Sequence, residues 1–224
     1  MRVLRGRGPD PATDRAVTRE LVERAASGDS GVRIWRPHRT VVFGRRDTTR
    51  EGYDRARQAA AARGYTPVER SVGGHAVAFT GTTVAFLRAE PIEEARTGIQ
   101  TRYERTSREV ASALETLGVA VELGEPEGAF CPGTHSLSAR GKIVGLAQRV
   151  RRDVALVSGV VVVYAHEQLA DVLEPVYGAL DLPFERDAVG SIAQAGGPAD
   201  PEAVIEALQD GLAPGSTVEW LRET

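Results

Sequence analysis

Apolar positions along the chain repeat with two periods. Ala16, Leu21, Val22 and Ala25 share one side of a helix predicted over 11–27, with Asp10 as N-cap, Pro11 in its first turn and Gly28 and Gly31 beyond its end. A second helix is predicted over 49–63, closed by Gly64. Ile99, Tyr103, Val110, Leu114 and Leu117 carry the strongest helical spacing and predict a principal helix over 97–117, ahead of Gly118. HEQLADVLEPVYGAL, from His166, predicts a helix broken near Pro175, and Pro201 opens a last helix over 201–212. Elsewhere the period is two. Strands are predicted over 32–37 and 40–46, joined at Pro37-His38. Residues 66–90 read as strand, loop, strand, turn, strand, and the alternation of Val77 and Phe79 with Val84 and Phe86 predicts a hairpin around Gly81. A strand over 119–123, a loop over 124–135 and strands over 135–139, 143–150 and 154–164 follow.

Grouped, mostly hairpin-connected strands with helices at intervals predict an α+β domain around a mixed, mostly antiparallel sheet. The 224 residues, 42% hydrophobic, suit one sizeable domain over 1–224. The Pro/Gly-rich stretch 193–202 marks 193–224 as a candidate C-terminal helical appendage.

Charge narrows the function classes. A net charge of −3, with arginines interleaved among acids, offers no basic field for nucleic acid. The N-terminus is too short and too charged for a signal peptide, and the apolar run 154–165 is strand-sized, so a soluble, cytoplasmic protein is expected. One cysteine excludes an internal disulfide framework and a cysteine-based zinc site; the four histidines, His38, His75, His135 and His166, show no metal spacing.

The chemistry concentrates in GAFCPGTHSLSARGKIVGLAQRV, 128–150. It holds the one cysteine, Cys131, and the one lysine, Lys142, in a chain whose 27 other cationic side chains are all arginine. Arginine replaces lysine freely at exposed sites but not where a compact, deprotonatable amine is required. A lone cysteine is more often a small core residue, but Pro132 and Gly133 place this one in a loop, where a thiolate is a competent nucleophile. Lys142 and His135 are the candidate positive groups beside it, with His135 also a candidate base. Upstream, RSVGGHAV, 70–77, pairs two glycines between strands. The bland alternative is a tight turn; the functional one is backbone N–H groups held against a ligand. Arg45, at the exit of 40–46, is either a surface charge or part of the same site.

These segments resemble the lipoate/octanoate protein ligase and transferase superfamily. Phe-Cys-Pro-Gly, Leu137-Ser138, Gly141-Lys142, Gly145 and Ala147-Gln148-Arg149 line up without a gap with its cysteine-dependent branch, the octanoyl-[glycine cleavage H protein]:protein N-octanoyltransferases. Arg70, Gly73, Gly74, Ala76 and Val77 match the lipoate-binding loop. Val72 and His75 depart from it, as does Ser136 before Leu137-Ser138, and Phe79-Thr80-Gly81-Thr82 stands where ATP-dependent ligases carry His-Asp-x-Gly-Asn.

The resemblance implies the biotin/lipoate protein ligase fold, related to class II aminoacyl-tRNA synthetases. It implies an acyltransferase that forms an acyl-Cys131 thioester from an octanoyl or lipoyl donor and passes the acyl group to a lysine of a lipoyl-domain protein, such as glycine cleavage H protein or an E2 subunit of a 2-oxoacid dehydrogenase. Lys142 would polarise the acyl carbonyl. Arg70, Val72, Gly73, Gly74, His75, Ala76, Val77, Gly133, Val144, Gly145 and Ala147 would bind substrate, with Val72, Val77 and Val144 lining an apolar slot. No cofactor is expected for this chemistry. An ATP- and Mg-dependent ligase acting through an acyl-adenylate, and a non-catalytic binder of lipoylated carriers, are the alternatives.

Overall fold

A computed structural model describes residues 1–70 and 73–221; Val72, expected in the acyl slot, lies outside the described residues. The strands are β1 (Arg2–Arg5), β2 (Gly31–Trp35), β3 (Thr40–Phe43), β4 (Thr66–Glu69), β5 (Val77–Phe79), β6 (Thr83–Pro91), β7 (Glu122–Leu123), β8 (Leu137–Ser138), β9 (Lys142–Val150), β10 (Val154–Val162) and β11 (Val218–Trp220). The helices are α1 (Pro11–Ala26), α2 (Tyr53–Ala61), α3 (Ile99–Thr116), α4 (His166–Ala179) and α5 (Pro201–Leu212).

Eight strands form one sheet in the order β11-β1-β2-β6-β10-β9-β8-β7, and β4-β3-β5 form a second. From β2 to β7 every pairing is antiparallel; β1 runs parallel to both of its neighbours, and β3 pairs parallel with β4 and antiparallel with β5. The architecture is α+β with a mixed, mostly antiparallel sheet. Among the described residues no helix is long and apolar enough to cross a membrane.

Two cores result. In the first, Val110, Ala113 and Leu114 of α3 and Val204, Ile205, Leu208 and Leu212 of α5 pack on Val32, Phe86, Val144 and Val161 of the large sheet. The Asp200 side chain caps α5 by accepting from Glu202 N at 2.9 Å, with Pro201 in the first turn. α5 fills the first core, and β11 extends the large sheet beside β1. The second core joins Val41 and Phe43 of β3, Ala76 and Val77 at the start of β5, Ala56 and Ala60 of α2, Leu169, Leu173, Val176 and Tyr177 of α4, and Val160 and Val162 of β10. Adjacent β10 positions alternate between the cores, as pleating dictates.

Three expectations are corrected. The chain around Gly81 is not a hairpin: β5 pairs with β3, whereas β6 pairs with β2 and β10. Alternation specifies which face is buried, not which strand lies alongside. α4 is not broken at Pro175. Proline inside a helix costs about 3 kcal/mol, but Val176 and Tyr177 are buried just beyond it, and each such side chain contributes roughly 1.5–3 kcal/mol on burial. Of 119–123, only Glu122–Leu123 is strand, at the exposed sheet edge, while Val119 is buried in the first core.

Candidate active site

The loop between β7 and β8 is built around Phe130, which is fully buried in the second core. The next residue, Cys131, is half-buried and has φ of 42°, a left-handed backbone. That conformation costs a non-glycine residue roughly 1–2 kcal/mol. It is held from both ends. Cys131 N–H donates to the Tyr177 hydroxyl at 2.6 Å, and the Cys131 carbonyl accepts from Lys142 Nζ at 3.0 Å.

Lys142 opens β9, and its side chain is 1% exposed. The amine also donates to Phe130 O at 2.8 Å and lies 2.9 and 3.2 Å from the two carboxylate oxygens of Glu125. An ammonium has three N–H donors; here three acceptor groups receive them. Burial lowers the Lys142 pKa from its ordinary value, and Glu125 opposes that shift. Glu125 organises the other side of the loop by accepting from Gly133 N at 3.1 Å and from the Ser136 hydroxyl. Ser136, where the resemblance leads to an aspartate, is therefore a ligand of the buried pair.

The glycine pair reaches the same point from the small sheet. Gly74 has φ of 85°, and a Cβ there would lie 3.0 Å from Cys131 Sγ and 2.9 Å from Arg70 Nη2. Arg70 Nη2 donates to His75 O at 3.0 Å and lies 3.5 Å from Cys131 Sγ. Asp47, fully buried, accepts from Gly44 N at 2.9 Å and pairs with His75 Nδ1 at 2.8 Å. The Tyr177 hydroxyl donates to Ala76 O at 2.9 Å, so one phenol joins the glycine loop to the cysteine loop. Burial holds the Tyr177 pKa well above its ordinary value, so the donor proton stays in place.

The structure thus gathers Cys131, Lys142, Arg70, Gly74, His75 and Ala76 around one loop. Gly73 and Gly133 are exposed beside it, and Gly145 lies against Lys142, whose Cε would be 3.3 Å from a Cβ there. Val77 packs in the second core but Val144 in the first, so the two valines do not form one wall; Ala147 is exposed on β9. His135 stacks on Tyr103, ring centroids 4.0 Å apart at 9°. Tyr103 in turn accepts from Gln148 N at 2.7 Å. Arg45 is exposed. Among the described residues no cluster of His, Cys, Asp or Glu could hold a metal ion.

A model of the lipoyl protein ligase A/B catalytic domain matches residues 10–213. The chain belongs to this family. An octanoyl-[GcvH]:protein N-octanoyltransferase of Geobacillus kaustophilus (strain HTA426) is 35% identical over 134 residues, 59% of this chain and 47% of that protein. A lipoyl-[GcvH]:protein N-lipoyltransferase of Listeria monocytogenes serovar 1/2a (strain ATCC BAA-679 / EGD-e) is 30% identical over 139 residues, 62% of this chain and 49% of that protein. The matches span about half the length of these curated relatives. The crystal structure of a lipoate-protein ligase A bound with ATP superposes with a TM-score of 0.74 at 18% identity, over 99% of this chain and 89% of that one. The fold is that of the lipoate-protein ligases.

Within this lipoyl ligase/transferase domain, sequence reasoning passed over Glu125, Asp47, Tyr103 and Tyr177. A buried lysine requires a carboxylate, and the acids of the loop, Glu125 and Glu127, were the signal for the first. Tyr177 gave none, because a buried tyrosine at helical spacing reads as core.

Proposed function

We propose that the protein is a cysteine-dependent acyltransferase that moves an octanoyl or lipoyl group between lysine side chains of lipoyl-domain proteins. The observation that carries the reading is the half-buried Cys131 thiol, set on a left-handed residue whose N–H and C=O are both fixed by side chains of other elements. Such fixation orients a nucleophile before substrate arrives. The names of the relatives in Geobacillus and Listeria support the same substrate class.

In the first half-reaction the sulfur bonds to the acyl carbonyl carbon, the C–N bond to the donor lysine breaks, and the thiol proton ends on the departing amine. In the second, the acceptor amine bonds to the same carbon, the C–S bond breaks with its electron pair going to sulfur, and the proton lost by the amine returns to the thiol. Lys142 serves chiefly by holding the Phe130 and Cys131 carbonyls. It reaches an acyl oxygen only by releasing one of its loop acceptors. Glycine cleavage H protein is the proposed donor, and E2 lipoyl domains are the proposed acceptors. The chemistry draws on no cofactor. A free thiol that must stay reduced suits the cytoplasm.

The test is incubation with octanoylated H protein followed by intact-mass analysis. A hydroxylamine-labile octanoyl adduct on Cys131, and its loss in Cys131→Ser, support the reading. Full transfer by Cys131→Ser would sink it. Release of pyrophosphate from free lipoate and Mg-ATP by that variant would instead indicate a ligase, and carrier binding without turnover a binder.

A further inference from the structure

The sulfur needs a partner for its charge, and among the described residues neither expected candidate hydrogen-bonds to Sγ. Lys142 spends its donors on Glu125 and two carbonyl oxygens, and it meets Cys131 at the carbonyl rather than at Sγ. His135 is stacked on Tyr103. The cation at the sulfur is Arg70, whose Nη2 is 3.5 Å from Sγ.

Arg70 is held in that position from two directions. Its backbone N–H donates to Phe43 O at 2.9 Å, just past the β3–β4 pairing, and its Nη2 is tethered to His75 O at 3.0 Å. Gly74 lies between guanidinium and thiol with no side chain to part them. A tethered guanidinium loses little freedom when it takes up a charge, and it presents its N–H donors in a rigid fork.

We propose that Arg70 is a catalytic residue that stabilises the negative charge on the Cys131 sulfur, both as the thiolate attacks the donor and as it is expelled by the acceptor amine. Arg70 transfers no proton; it acts as a fixed charge against the sulfur. The proposal rests on the reading of Cys131 as the nucleophile and assigns Arg70 work beyond contacting substrate.

The other charged or titratable groups packed around the sulfur are the Lys142–Glu125 pair, Tyr177 on α4, Tyr103 on α3 and the Asp47–His75 pair behind Gly74. None of these side chains is replaced in Arg70→Gln or Arg70→Lys. The experiment measures iodoacetamide alkylation of Cys131 in the whole protein, wild type against each variant. In Arg70→Gln the rate at about pH 7 is expected to fall roughly tenfold or more. Arg70→Lys, which keeps the charge but loses the tethered fork, is expected to fall between. Both half-reactions should slow in parallel in Arg70→Gln.

Since Arg70 also braces His75 O, circular dichroism melting must show the variant folded. If it is not, Arg70→Lys and Gly74→Ala decide, the latter because its Cβ would press on both Nη2 and Sγ. Equal alkylation rates at about pH 7 in wild type and folded variants overturn the proposal. Loss of transfer in Cys131→Ser together with unaffected Arg70 variants sinks this inference alone; full transfer by Cys131→Ser sinks the nucleophile reading beneath it.

Discussion

The Tyr177 hydroxyl accepts the Cys131 N–H at 2.6 Å and donates to Ala76 O at 2.9 Å, joining the two loops that meet at the thiol. Tyr177 comes from α4, past Pro175, so the continuity of that helix is what delivers the phenol.

Tyr177→Phe keeps the ring and removes both bonds. A buried polar group left without a partner costs about 1–3 kcal/mol, and here a donor and an acceptor lose theirs together. The variant should melt several degrees lower. Formation of acyl-Cys131 should slow by more than the fraction of unfolded protein explains, because the left-handed cysteine is no longer held from its N–H side. Stopped-quench mass analysis at a temperature where both proteins are folded separates the effects. Unchanged acylation would leave Tyr177 a core residue only.

Glu125→Gln tests the opposite anchor. It removes the carboxylate charge paired with the buried Lys142 ammonium. Breaking a buried pair from one side costs roughly 3–5 kcal/mol, and the 19% exposure of Glu125 puts this site at the lower end. Urea unfolding should show that loss, with acyl-enzyme formation slowed as the Gly133 and Ser136 contacts to Glu125 weaken. A change below about 0.5 kcal/mol would mean that solvent already compensates Lys142.

The site's legibility in the sequence follows its chemistry. Cys131 and Lys142 stand out because each is the one residue of its kind, and they do meet. Glu125 is one of 31 acids; its loop narrows the choice to Glu125 and Glu127, but nothing local says which of the two pairs with Lys142. The helix over 201–212 was legible to the residue, since Pro201 and its apolar spacing are local signals. The partner of β5 was not, because antiparallel pairing depends on contacts distant in sequence. β1 and β11 escaped for another reason: strands of four and three residues at a sheet edge carry too few apolar positions to show a period.

The buried amine also sets a pH dependence. Burial places the folded-state pKa of Lys142 below the ordinary 10.5, with Glu125 pulling the other way. Between that lowered value and 10.5 the unfolded chain binds more protons than the folded one, so this residue's contribution to stability rises with pH through the window. Below the window the full cost of burying the ammonium is present. The unfolding free energy of wild type minus that of Lys142→Met should therefore climb as pH approaches 10.5, groups not coupled to Lys142 cancelling between the proteins. A difference that falls across the window would show Glu125 holding the ammonium more strongly than burial opposes it.

Gly44 is the last support of the thiol's surroundings. A Cβ there would lie 2.0 Å from Gly74 O and 2.8 Å from Gly74 C, which are backbone atoms that cannot swing aside. Gly44→Ala must therefore displace the Gly73–Gly74 loop, and with it the gap through which Arg70 reaches the sulfur. Overpacking of this kind costs about 1–3 kcal/mol, but the larger effect should be on transfer, since a shift of about 1 Å at a reacting group can cost on the order of a hundredfold. Gly178→Ala is the control: it lies within α4, its Cβ would meet nothing within 4 Å, and alanine there should stabilise the helix by up to about 1 kcal/mol with transfer unchanged. Transfer rates measured where both variants are fully folded decide the matter. If Gly44→Ala retains wild-type turnover, the glycine loop tolerates displacement, and its contact with Cys131 is not what sets the rate.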